Sequence, residues 1–123
     1  MALRRADVAL RMIGGKTGET GAILDSGLDL LYSVRADPDV VARVEQVYEE
    51  TRNRRKLGPL ALALFAVDSR IAPEALLDSF ATASKMIAER IRRAILACDP
   101  ADIRAHRDLI RALPQGRRDQ LGL

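Results

Sequence analysis

The chain has 123 residues, a net charge of +3 and an apolar fraction of 48%, of which only Tyr32, Tyr48, Phe65 and Phe80 are aromatic. That length suits one domain, large enough to bury roughly two-thirds of its unfolded surface without a metal or disulfide staple. A single cysteine, Cys98, excludes an internal disulfide and fits a small buried hydrophobe in a reducing cytoplasm.

The apolar residues are mostly Ala, Leu, Ile and Val. Ala and Leu are strong helix formers, and β-branched or aromatic clusters bounded by turns are scarce, so an all-α fold is expected. No apolar run approaches the roughly 20 residues that span a bilayer. The N-terminal stretch MALRRADVALRMIGG has a basic start but no continuous apolar core, which argues against a signal peptide. The expectation is a cytoplasmic protein with no membrane contact.

A first helix is predicted over Leu3 to Ile13, with Leu3, Ala6, Leu10 and Ile13 on one face and Gly14-Gly15 as its stop. The loop GGKTGETG contains Gly-Lys-Thr, but a phosphate-binding loop needs Gly five residues before Gly15 and a strand upstream. Position 10 is Leu, so the loop reads as a connector. Thr20 can cap a second helix carrying Leu24, Leu28 and Leu31 and ending near Ala36. Asp37-Pro38 starts a third, with Val40, Val41, Val44, Val47 and Tyr48 on one face and Glu45, Glu49 and Glu50 on the solvated one. Its last turn holds Arg52, Arg54, Arg55 and Lys56 within the run RNRRK. Cations complement the negative end of a helix, but four in five residues exceed what a cap requires and form a candidate anion-contact patch.

Gly58-Pro59 opens LALALFAVD, residues 60–68, a short helix apolar all round that belongs in the middle of a bundle. Asp68 to Ala72 then turns into the longest periodic stretch, Pro73 to Cys98. There Leu77, Phe80, Ser84, Ile87, Ile91, Ala94 and Cys98 recur at spacings of three and four, with no internal Gly or Pro. The pattern predicts one helix about 38 Å long at the centre of a single compact bundle of five or six helices spanning residues 1–123. A helix-turn-helix around Ala81 to Arg93 would need a short turn that this pattern does not signal. Asp99-Pro100 starts a last helix to Leu113, with Ile103, His106, Ile110 and Leu113 on one stripe and Arg104, Arg107 and Arg111 on another. Residues 115–123 read as a frayed tail.

No constellation for catalysis emerges, and an enzyme is not expected. One Cys and one His cannot supply a structural zinc site, and no Glu stands three residues before His106 to make a di-iron pair. Neither a cofactor nor a small-molecule substrate is expected. Charge is the remaining signal: seventeen Arg stand against three Lys. The forked guanidinium suits phosphate, although GC-rich codons favour both Arg and Ala. Arg90, Arg92 and Arg93, followed by Arg104, Arg107 and Arg111, would form a basic surface able to contact nucleic-acid backbone with weak sequence preference. The scarcity of aromatics argues against a base-stacking platform.

In size, helical character and the Arg clusters RNRRK and ERIRR, the chain resembles the small helical subunits of multisubunit CRISPR effector complexes. The resemblance implies a non-catalytic accessory subunit of a nucleoprotein assembly, with copies or neighbouring subunits packed through apolar helix faces and Arg offered to a guide–target duplex or a displaced strand. The competing expectation is a helical protein–protein module, such as an adaptor, an antitoxin-like regulator or a phage assembly factor, whose Arg residues only solubilise it.

Overall fold

The computed structural model describes residues 1–14, 21–51 and 57–123. These are all-helical, with no strand among them. The described residues form nine helices in order: α1 (Ala2–Gly14), α2 (Gly21–Ser33), α3 (Pro38–Thr51), α4 (Gly58–Ala66), α5 (Ala72–Phe80), α6 (Lys85–Ala97), α7 (Pro100–Arg104), α8 (Arg107–Ala112) and α9 (Gln115–Leu121). The connector reading of the Gly-Lys-Thr loop and the Thr20 cap lie outside the described residues.

The centre belongs to α4 rather than to a long helix. Its nine residues include Leu60, Ala61, Leu62, Ala63 and Leu64, all buried, and it packs against α1, α2, α3, α5 and α6. A helix apolar on every side has no face to give to water, so it is stable only when surrounded. Its C-terminus closes with Asp68 in the left-handed conformation (φ 56°). The Ser69 amide donates to the Leu64 carbonyl at 3.0 Å and the Asp68 amide to that of Phe65 at 3.1 Å. These two bonds satisfy carbonyls that the helix end would otherwise orphan.

The predicted helix from Pro73 to Cys98 is two helices. It breaks at Ala81–Ser84, where Ser84 is extended (φ −60°, ψ 160°) at the head of α6. Thr82 and Ser84 are weak helix formers with side chains that favour turns, and both are exposed. Leu77 and Phe80 before the break, and Ile87, Ile91 and Ala94 after it, are all buried. The turn thus redirects the chain while returning the apolar phase to the same core. Ser84, expected on the buried stripe, faces solvent.

The last predicted helix also divides, at Ala105–His106, where His106 leaves helical geometry (φ −103°, ψ 54°). No Gly or Pro marks this break. The segment expected to fray forms α9 instead. Leu121 is buried, and Arg117 donates to the Ala83 carbonyl at 3.0 Å while its guanidinium lies 5.2 Å from the centroid of the Phe80 ring. A guanidinium over an aromatic face adds attraction to the burial of its stem. Glu45, expected in solvent, is half-buried and accepts a hydrogen bond from the Ser69 hydroxyl at 3.1 Å, tying α3 to the turn after α4.

Candidate functional site

The basic residues singled out by spacing prove to have separate tasks. Arg52, Arg54, Arg55 and Lys56 lie outside the described residues. Arg90 spans from α6 to α2, where its fork donates to both carboxylate oxygens of Asp25 at 2.9 and 3.0 Å. That hydrogen bonding, only partly opposed by burial, holds the Asp25 carboxyl below the usual carboxylate range and raises the Arg90 guanidinium. The pair fixes the N-terminal half of α2 against α6.

Arg92 forks onto Glu89 at 2.6 and 3.0 Å, and this hydrogen bonding lowers the Glu89 carboxyl and raises Arg92. Arg93 reaches the same carboxylate at 3.4 Å but is 73% exposed. One carboxylate therefore serves two guanidinium groups, and Arg93 retains most of an uncompensated positive charge. Arg117 and Arg118 are also engaged, the first at Ala83 and Phe80, the second with Gln115 at 2.8 Å.

Arg104, Arg107 and Arg111 remain. All three are exposed, and among the described residues none of their side chains makes a hydrogen bond or ion pair, with Asp108 or with any other group. Because of the break at Ala105–His106, however, Arg104 ends α7 while Arg107 and Arg111 share α8. The continuous basic surface expected from Pro73–Cys98 and the helix after Asp99 is reduced to these three side chains and the exposed Arg93.

The break at Ala81–Ser84 gives α5 and α6 the connectivity of a helix-turn-helix. The outward side of α5 carries Glu74 and Asp78, which rim a cavity of about 100 Å³ together with Glu49.

A second feature, absent from the spacing argument, is an apolar groove of about 310 Å³. Its floor is Leu62, Phe65 and Ala66 of α4; one wall is Leu28, Asp29 and Tyr32 of α2, and the other is Arg90, Arg93 and Ala94 of α6. The Asp25–Arg90 pair bridges α2 and α6, and α4 packs against both helices. Tyr32 is 54% exposed, with Arg35 stacked 3.7 Å from its ring centroid. Aromatic and aliphatic surface left half-exposed between helices suits an inserted side chain or helix. The signal in the sequence was the pairing of Leu28 with Tyr32 at helical spacing, together with Phe65 on a helix otherwise made of Ala and Leu.

Chemistry elsewhere is sparse. Burial pushes the Cys98 thiol up, and Asp102 beside it adds to the effect, which disfavours the reactive thiolate. Among the described residues no three His, Cys, Asp or Glu side chains group as metal ligands, and no helix is long and apolar enough to cross a membrane. No protein-family model, curated protein or solved structure matches the chain.

The Asp25–Arg90 pair gives a direct pH prediction. The carboxyl is lowered in the folded protein, so its contribution is present above the unfolded value of about 4 and fades as pH falls through the folded one. With Asp25 55% exposed, solvent screening limits the contribution to about 1 kcal/mol or less. Asp25→Asn is expected to lower stability slightly at neutral pH and to flatten the acid limb of a denaturant-unfolding series below about pH 4. An unchanged acid limb would show that the pair does not form in solution.

Proposed function

We propose that the chain is a non-catalytic helical assembly module that binds a protein surface through the α2–α4–α6 groove. The observation that supports this reading is the groove itself, whose walls leave Tyr32 exposed and Phe65 half-buried. Helical modules of this kind accept apolar anchors between helices and use rim charges for orientation. A charged side chain on the exposed wall of the groove should block docking. Tyr32→Glu, at a side chain that is 54% exposed, is expected to cut association with any partner at least roughly tenfold, with partner recovery measured by mass after nuclease treatment. Equal recovery with the variant would reject the groove as the docking site.

One observation favours a second reading, in which the module also contacts nucleic-acid backbone. Arg104, Arg107 and Arg111 are exposed and, among the described residues, unpaired, so their donors are available to phosphate. Replacing all three with Ala is expected to weaken binding to any DNA or RNA about equally, and to lower the salt slope by roughly one for each phosphate no longer neutralised. A fluorescence-anisotropy titration at low and high salt reads both quantities. No binding by the intact chain at low salt would remove this reading.

A further inference from the structure

The face of α1 turned away from the core is basic. Ala6, Ala9, Leu10 and Ile13 are buried, and at roughly 3.6 residues per turn the opposite side falls on Arg4, Val8 and Arg11, with Arg5 beside them. All four are exposed. Among the described residues, no hydrogen bond or ion pair engages the side chain of Arg4, Arg5 or Arg11. Asp7 is the one acid of α1, and its spacing would let it pair with Arg4 or Arg11. It reaches instead across to Arg43 of α3, at 3.7 Å. The carboxylate that could answer this face is engaged between helices.

Stability gives no reason for the arrangement. Arg4 and Arg5 stand in the first turn of α1, which holds no acid, and the positive end of the helix dipole disfavours cations there. An exposed helix start under no other demand favours Asp or Glu. A local rule broken at exposed positions, with no compensating contact in the chain, points outward to an anion.

The layout narrows the chemistry of that anion. Arg4 and Arg11 are seven residues apart, about 10 Å along the helix axis. Duplex nucleic acid presents about one negative charge per 1.7 Å of its own axis, so a row of phosphates can meet every guanidinium of the face. With no aromatic residue in α1, bases have nothing to stack on. Its apolar stripe is buried in the core, which leaves no apolar face to enter a lipid surface.

We propose that the outward face of α1 is a second contact surface for nucleic-acid backbone, with Arg4, Arg5 and Arg11 each paired to phosphate. This rests on the nucleic-acid reading above and extends it to a separate place in the fold. α1 packs on α2, α3 and α4, whereas α7 and α8, which hold Arg104, Arg107 and Arg111, pack on α5.

Paired substitutions of equal charge test it. Arg4→Ala/Arg11→Ala is expected to bind a fluorescein-labelled DNA duplex at least roughly tenfold more weakly at low salt, with a salt slope lower by about two. Arg70→Ala/Lys85→Ala, at two exposed positions outside α1, removes the same charge and should weaken binding no more than about threefold. The thermal midpoint of Arg4→Ala/Arg11→Ala should hold or rise, because Ala is the better helix former and the dipole conflict at Arg4 is relieved.

A loss of binding no larger than that of Arg70→Ala/Lys85→Ala, or a lowered thermal midpoint, overturns the α1 surface; the Arg104, Arg107 and Arg111 variant then judges the other surface separately. Displacement of the duplex by polyglutamate at equal charge concentration overturns phosphate as the ligand and leaves an acidic protein in its place. An intact chain that does not bind the duplex at low salt removes both surfaces.

Discussion

Leu64→Lys is expected to leave no cooperatively folded protein, and Leu64→Ala to lose about 2–5 kcal/mol in denaturant unfolding. Leu64 is fully buried in α4, the helix on which α1, α2, α3, α5 and α6 converge. Truncation removes the side chain's transfer energy and leaves a cavity that five surrounding helices cannot jointly close. A lysine there has no outward path along which to extend its ammonium, since Leu60, Ala61, Leu62 and Ala63 line the helix on its other sides and are buried as well. Leu96→Lys is the control. Leu96 is 57% exposed on α6, and its replacement should fall within about 0.5 kcal/mol of the original stability. If Leu64→Ala cost no more than Leu96→Lys, α4 would not be the centre of the fold.

Gly27→Val, at a buried position of α2, should cost about 2–3 kcal/mol by thermal or denaturant unfolding. A β-carbon at Gly27 would stand 2.9 Å from Cγ1 of Ile13 and 3.3 Å from the Ala9 carbonyl. Neither neighbour is a free side-chain tip: one atom belongs to a buried isoleucine and the other to the backbone of α1. Glycine is unfavourable in a helix interior by about 1 kcal/mol, so its presence here reflects the close approach of α1 and α2. Gly21→Ala provides the contrast. Its β-carbon meets Nη2 of Arg90 at 2.6 Å, a side-chain tip that can move only by giving up its hydrogen bond to Asp25, so the change should cost about 1 kcal/mol or less, the worth of that half-exposed pair.

Much of the fold was legible in the residues. Ala and Leu content pointed to the all-helical class, Asp37-Pro38 and Asp99-Pro100 marked the starts of α3 and α7, and the all-round apolarity of residues 60–68 placed α4 inside. The division of Pro73–Cys98 into two helices was hidden for a definite reason. Ile87 and Ile91 return to the core with the same phase as Leu77 and Phe80, so periodicity alone cannot register the turn between them. Thr82 and Ser84 were the available signal, since hydroxyl side chains compete with helix for the backbone. The break at His106 carried none.

The candidate site was less legible, because spacing along one helix says nothing of partners on another. Arg90 has its carboxylate 65 residues earlier. Arg92 and Arg93 converge on a glutamate of their own helix, a pairing that the run ERIRR contained. The groove needed three helices to be seen together, since neither Asp29 nor Ala66 stands out in its own segment.

The position of α4 also bears on how the molecule assembles. It comes from the middle of the sequence, and the helices that enclose it come from both sides of it. The N-terminal helices α1 to α3 cannot complete their core until residues 58–66 arrive, and α4 in turn stays partly uncovered until α5 and α6 close over it. A fragment ending at Thr51 and one beginning at Leu57 each lack a side of the same core. Two such fragments therefore present complementary apolar faces and have reason to find each other.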